Sequence, residues 1–483
     1  MFFLVGEAAA AYARSPETHS LVDACRLIAV LAALSGAFLR YGPKVLLVVP
    51  LVVGPLMPIH LPGLHGDEVH YLMIAESLHR DGDFAVRDEY AAHLGDRLNY
   101  GLPLDPHLGS KNGVPGASDY SLHLPGVALI AYPGWTFHSR RLVLLGFALA
   151  TILIIREMDL LALACGARRW AAALGTTLVV LSQPLLPLSR QLFPEIPAAL
   201  LLVHLGRRLA ESDRFTPREH SRVAVLTVAG AAAALPWIHV RLLPLAGVLL
   251  LALAVRDRRM RFLPPVALAG SLAVMMVVFQ RWYGSPLPNA MYGGTRFANP
   301  DPLRALLGLF LDSHVGLALV APVVVVSLVA APRLWKKARW WTATVAVVFI
   351  VALLIDASYD QWPLGFSTPG RFWASILPLS APLVAAALER LPRTVATVGV
   401  LGAIPTILLL AFPAEGYPDS RTGTTLWTKL GARSLPVLIP GGSTSTLAAA
   451  VIGLALMAAL AGAAWFLIHR EATNRPVVAA PPA

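Results

Sequence analysis

The chain has 483 residues, 56% of them hydrophobic and only 14% charged, and its mean hydropathy is +0.64; a soluble protein of ordinary composition is about a quarter charged. The net charge is +11, from 39 basic and 28 acidic residues, but the basic residues punctuate gaps between apolar blocks instead of interleaving with aromatics, which argues against nucleic acid as a partner. Two cysteines, Cys25 and Cys165, exclude a disulfide framework or a zinc cluster.

The first residues, Met1 to Ala13, contain Glu7 and lack the basic start of a cleavable signal peptide. Residues 21–39 carry a short apolar run that reads either as an extra span or as a helix in the membrane interface. From Lys44 onward, apolar blocks near 44–59, 141–162, 171–188, 196–210, 223–236, 240–255, 262–280, 315–331, 341–356, 372–387, 394–412 and 446–468 are of the length that crosses a hydrocarbon core about 30 Å thick. The expectation is an all-α polytopic membrane protein, a bundle of about twelve transmembrane helices, thirteen if residues 21–39 also span. Alternate connections are basic: Arg168/Arg169, Arg207 to Arg222, Arg256 to Arg261, Arg333 to Arg339, Arg390/Arg393 and Arg470/Arg475. All of these fall on one side if every block spans, so the positive-inside rule places them in the cytoplasm of a plasma (inner) membrane protein. The intervening segments, 61–140, 189–195, 237–239, 281–314, 357–371 and 413–445, then lie outside. In domain terms, residues 1–43 are an interfacial helix or extra span and 44–412 the transmembrane domain. Residues 413–468 form an external loop and last span, and 469–483 a disordered cytoplasmic tail rich in Pro and Ala.

The first external loop, 61–139, holds ten acidic residues against four basic ones, net −6, and a loop this long usually has a task. Within it, Val69, Leu72, Met73 and Leu78 have helical spacing, which predicts a short amphipathic helix after Asp67 lying on the membrane. The Pro and Gly residues from Gly101 to Gly126 predict an irregular path back to the bilayer.

Chemistry concentrates in Gly66-Asp67-Glu68-Val69-His70-Tyr71-Leu72. Two carboxylates and a histidine at a membrane interface are unfavourable unless solvated or paired. A carboxylate there can serve as a general base toward a hydroxyl, or Asp67 can merely cap the following helix. Arg371, in Ser367-Thr368-Pro369-Gly370-Arg371-Phe372, stands on the outward side against the topological bias. Its fork suits a phosphate, and the competing reading is an interfacial snorkelling arginine. His239 and Arg241 invite the same argument. Arg190 and Glu195 read equally well as a structural ion pair. The segment from Tyr283 through Tyr292 to Arg296 is either a pocket wall or an ordinary turn. Asp81-Gly82-Asp83, with Asp67, Glu68 and His70, offers hard oxygen ligands for Ca²⁺ or Mg²⁺ but matches no complete metal loop. No phosphate-binding loop or dinucleotide fingerprint is present.

An Asp-Glu pair followed by x-His-Tyr in a long first external loop resembles the GT-C fold glycosyltransferases, particularly the protein O-mannosyltransferases and the lipid A aminoarabinose transferase relatives. Asp81-Gly82-Asp83-Phe84, Phe193-Pro194-Glu195, His314-Val315-Gly316-Leu317 and Pro369-Gly370-Arg371-Phe372 before Leu377-Pro378 belong to the same resemblance, which covers roughly residues 44–390. It implies an inverting transfer of a sugar from a polyprenyl-phosphate donor to an acceptor hydroxyl on a cell-envelope glycan, lipid or protein. In that reading Asp67 is the general base, and Glu68, with His70 and Tyr71, supports the base or the acceptor. Arg371, with Arg241 or His239, stabilises the departing phosphate. Arg190, Glu195, Tyr292, Arg296 and His314 are further candidates. Family members differ on whether a divalent cation (Mg, Mn or Ca) assists, in which case Asp67 or Glu68 would be a ligand. Because the chain ends soon after its last expected span, a glycan or lipid acceptor is at least as natural as a protein. The rival from another class is a transporter or flippase for a lipid-linked or amphipathic solute. It would call for charged residues in mid-span and two similar halves.

Overall fold

The computed structural model describes residues 47–56, 66–98, 103–214, 221–293, 299–363 and 367–411, with 418–419 and 423–424. The expected segment 1–43, the span 446–468, the tail 469–483 and Arg296 lie outside the described residues, as does most of 413–445. The described fold is helical, with one two-residue antiparallel pair, Pro418–Asp419 with Gly423–Thr424.

Five long helices build the frame: α4 (Arg140–Ala164), α6 (Glu195–Arg214), α9 (Leu263–Tyr283), α11 (Arg339–Ser358) and α13 (Pro392–Ala411). Between them pack α5 (Arg169–Leu181), α7 (Arg222–Ile238), α8 (Leu243–Arg256), α10 (Pro302–Leu311) and α12 (Ala381–Leu388). α4 lies along α6, and α7 along α9. Three stretches, Arg258–Tyr283, Arg339–Ser358 and Pro392–Leu410, are long and apolar enough to cross a membrane. Their outward faces carry Val266, Val274, Val277, Ile350, Leu354, Val400 and Leu401, all exposed, a distribution suited to lipid and not to water.

Among the described residues three expected spans are broken, the first being 171–188, whose helix ends at Leu181 before a separate turn at Leu185–Leu188. Residues 315–331 form short pieces, Leu317–Val320, Pro322–Ser327 and a 3₁₀ turn, and 372–387 begin as two 3₁₀ turns before α12. Pro322, Pro378 and Pro382 each withhold an N–H and fix φ, so an apolar run continues where a regular helix cannot.

The first loop also differs from expectation. Its helix, α1 (Glu68–Arg80), exists, but every residue from Glu68 to Ala75 is buried, so it is a packed element and not an amphipathic helix lying on the bilayer. The path from 103 onward is irregular but pinned. Ser110 N–H donates to the Met291 carbonyl (2.9 Å), Asn112 N–H to that of Tyr283 (3.0 Å) and Ser118 Oγ to that of Trp282 (2.8 Å). The same loop contains α2 (Arg87–Ala91) and a helix absent from the sequence reading, α3 (Pro125–Trp135), which packs on both α1 and α4.

The basic connections gather at one end. Glu389 accepts from Arg333 (3.0 Å), Lys337 (3.2 Å) and the Arg168 N–H (2.8 Å), and Lys337 also reaches the Gly166 carbonyl. Arg207 pairs with Glu157 and Glu211. Each long helix runs from this end to the other, where Asp67, Glu195, Arg241, Asp356 and Arg371 assemble. α6, with 20 residues, separates the two ends by about 30 Å, the thickness of a hydrocarbon core.

Candidate functional site

The second end opens as a cavity of about 560 Å³ lined by Asp67, His70, Tyr71, His107, His123, His239, Arg241, Tyr292, Asp356 and Arg371, among others. That size falls within the usual range for small-molecule sites.

Asp67 occupies the N-cap position of α1, yet its side chain makes no capping hydrogen bond. Its Oδ2 lies 2.9 Å from Arg371 Nη1 instead, so the capping reading does not describe what the carboxylate does. His70 and Tyr71 follow at three and four residues, which places them on the same helix face, and both line the cavity. Glu68 is only one residue from Asp67, about 100° around the helix, and points elsewhere. It is fully buried, accepts from the Leu192 N–H (3.2 Å) and pairs with Arg140 (3.3 Å). The two adjacent carboxylates therefore do not act as a pair: Asp67 faces the cavity, and Glu68 ties α1 to α4 and to the segment before α6.

Arg371 follows Gly370, whose φ of +71° and close approach to the Val320 side chain leave no room for a Cβ. Gly66, before Asp67, is also left-handed, at +56°. Each partner of the ion pair is thus set by a glycine turn that other residues adopt only with strain. Arg371 Nε donates to Glu195 Oε1 (3.0 Å), and the same oxygen accepts from Arg241 Nη2 (2.8 Å), while Arg241 Nη1 reaches Asp356 (3.2 Å). Two guanidinium groups are thereby locked among three carboxylates, Glu195 clamping both. The Arg371 and Arg241 guanidinium carbons lie over the Phe193 and Phe372 rings, 4.0 and 4.2 Å from the ring centroids. Glu195 does not pair with Arg190, which donates to the Leu410 carbonyl (3.0 Å); the expected Arg190–Glu195 ion pair is replaced by this network.

Histidines form the opposite wall. His70 Nδ1 is 2.6 Å from the Tyr90 hydroxyl, and its ring stacks on His107 at 3.5 Å. His107 Nδ1 lies 3.0 Å from His123 Nε2, which is 4.0 Å from Asp67 Oδ1. Burial opposes the charge on Asp67, but Arg371, then His123 and His70, hold its carboxyl well below the usual carboxylate range. Burial, with His107 and His123 beside it, keeps the His70 imidazole neutral far below its ordinary pKa.

Asp67, His107 and His123 each present one ligand atom, all within 4.8 Å of one another. This mixed nitrogen and oxygen set suits zinc or manganese better than calcium or magnesium. Glu68, expected beside Asp67 as a possible ligand, is not among them. The wider expected set also separates, because Asp83 accepts from Ser77 Oγ (3.0 Å) and the Ala85 N–H (2.9 Å).

His239 accepts from the Arg241 N–H (3.3 Å) and lines the cavity, as does Tyr292. His314 is buried in the break before residue 317 and does not line it. Sequence reading missed His107, His123 and Tyr90; the concentration of seven of the 14 histidines in the loop 61–139 was the available signal.

No protein-family model matches the chain, and no curated protein matches it. Solved structures do. The chain is similar in fold to ArnT from Cupriavidus metallidurans, in the apo state (16% identity, 91% of this chain and 79% of that one, TM-score 0.48) and bound to undecaprenyl phosphate (16%, 92% and 73%, 0.47). It is also similar to the archaeal oligosaccharyltransferase AglB from Archaeoglobus fulgidus, in complex with an inhibitory peptide and a dolichol-phosphate (15%, 80% and 57%, 0.45). The chain spans 57% of the length of that oligosaccharyltransferase.

Proposed function

We propose that the protein is an extracytoplasmic glycosyltransferase that moves a sugar from a polyprenyl-phosphate donor to an acceptor hydroxyl with inversion. The observation that carries this reading is the Asp67–Arg371 ion pair inside a cavity at the end opposite the basic connections. A base and a phosphate-sized cationic fork share one chamber at the depth where a lipid phosphate would sit.

In the step itself the acceptor oxygen bonds to the anomeric carbon as the bond from that carbon to the phosphate oxygen breaks. The acceptor proton passes to Asp67, and the polyprenyl phosphate departs with the bonding electron pair beside Arg371 and Arg241. Held by Arg371, Asp67 is a weak base. A donor phosphate that takes over the Arg371 fork frees the carboxylate and raises its basicity toward the range that general-base catalysis favours. Donor binding and base activation are then one event. Glu195 keeps both arginines aimed at the phosphate while remaining out of the cavity itself. Where Asp67, His107 and His123 hold a divalent cation, the cation would supply further charge for the leaving phosphate, and Asp67 would serve as its ligand instead of as the base. The apolar exterior keeps the donor's lipid chain in the bilayer, and the donor's own phosphate ester supplies the driving force.

The test is transfer by the purified protein in sealed proteoliposomes, from a panel of radiolabelled polyprenyl-phosphate sugars to envelope glycan and lipid acceptors. Product with an inverted anomeric centre supports the proposal. Transport of the intact donor across the bilayer with no transfer would replace it with the flippase reading.

A further inference from the structure

α1 ends at Arg80, Asp81 caps it, and Gly82 at φ +75° turns the chain so that Asp83 and Ala85 return across Ser77. The chain then forms α2, which carries Asp88 and Glu89 back beside Asp81. One carboxylate oxygen from each of Asp81, Asp88 and Glu89 lies within 4.8 Å of the others. Asp81 and Asp88 are exposed, whereas Glu89 is 1% exposed. Neither Glu89 oxygen accepts a hydrogen bond from an N–H or hydroxyl of another described residue, and none of the three carboxylates forms an ion pair among the described residues. A buried carboxylate aimed at two others is unfavourable unless a proton or a cation offsets the charge. Burial, then the carboxyls of Asp88 and Asp81, push the Glu89 carboxyl up to about 8.

We infer that Asp81, Asp88 and Glu89 bind a calcium ion that fastens α1 to α2. Two oxygens on one calcium ion, each about 2.3–2.6 Å from it, sit no more than about 5 Å apart, as these do. Calcium accepts irregular mixtures of monodentate and bidentate carboxylates, and water reaches the exposed side to complete six to eight ligands; magnesium demands a stricter octahedron. The site is separate from the cavity and needs no glycosyl transfer. It also bears on the cavity wall, because α2 carries Tyr90, whose hydroxyl holds His70.

The experiment is calcium titration of the full-length, chelator-treated protein in nanodiscs, read by calorimetry and by the thermal unfolding midpoint. The expected dissociation constant is on the order of 10⁻⁴–10⁻³ M, as for extracellular calcium modules, with a higher midpoint in calcium and a weaker response to magnesium. Glu89→Gln and Asp88→Asn each weaken calcium binding about tenfold or more, while His107→Ala, which alters the cavity, keeps the calcium response. Two results would overturn the inference. One is no heat and no midpoint shift in millimolar calcium, together with Glu89→Gln at least as stable as wild type in chelator, which assigns the cluster a proton. The other is a calcium response lost in His107→Ala but kept in Glu89→Gln, which moves the ion to the cavity.

Discussion

Arg371 Nη1 lies 2.9 Å from Asp67 Oδ2, joining the start of α1 to the turn that precedes α12. The pair is partly open, with Asp67 27% exposed toward the cavity, while Glu195 behind it has no exposure. A substrate can reach the carboxylate and the outer face of the fork without dismantling the inner network.

Asp67→Asn removes the proposed base but keeps the side chain's size. Transfer is expected to fall by about 10²–10⁴ with the protein still folded, as measured by single-turnover transfer alongside a thermal unfolding curve. Turnover like wild type would end the assignment of Asp67.

Arg371→Lys keeps a positive charge but loses the two-pronged grip on Asp67 and Glu195. We expect the KM for donor to rise more than the KM for acceptor, since the fork is matched to phosphate. Arg371→Ala leaves Glu195 with only Arg241 and should destabilise the fold by about 3–5 kcal/mol, as removal of one partner from a buried pair does. Denaturant unfolding separates the two variants.

Glu68 provides the contrast. Because its carboxylate braces Arg140 and the Leu192 N–H, Glu68→Gln should lower stability by about 1–3 kcal/mol and leave kcat per folded molecule near wild type. A collapse of kcat as deep as that of Asp67→Asn, in a stable protein, would place Glu68 in the chemistry.

His70 makes stability depend on pH. Its imidazole stays neutral in the fold well below its ordinary pKa, so the unfolded chain binds the extra proton as pH falls below about 6.5. Stability is therefore highest above that value and declines as pH drops toward the folded-state pKa. His70→Gln is expected to reduce this slope in the unfolding midpoint measured between neutral and mildly acidic pH. An unchanged slope would contradict a neutral, buried His70.

Gly370→Ala tests the turn that aims Arg371. A side chain at positive φ, pressed on Val320, should cost on the order of 1–3 kcal/mol and weaken donor binding along with stability, as read by unfolding and by donor titration.

Much of this site was legible in the sequence because its logic is local. The spacing of Asp67, His70 and Tyr71 fixes one helix face, and the outward position of Arg371 against a basic interior marks it as unusual before any contact is known. What was not legible required distant chain to meet. Glu68 looked equivalent to Asp67, and only the packing of α1 against α4 shows that the two diverge. Glu195 was weighed as a partner of its near neighbour Arg190, yet its oxygen is held by Arg241 and Arg371, from two other elements. Apolar length suggested spans at 315–331 and 372–387 because hydropathy does not register where proline interrupts the hydrogen-bond ladder.

Composition and the rhythm of apolar blocks determined by themselves that this is a helical chain suited to a bilayer, with its acidic residues concentrated in one loop. Charge and hydrophobicity are properties of each residue, and they sum along the chain without reference to its path. Which carboxylate faces the cavity, which arginine grips it and which histidines stand opposite were decided only by tertiary structure. Those are distances between residues far apart in sequence, set by how whole helices pack.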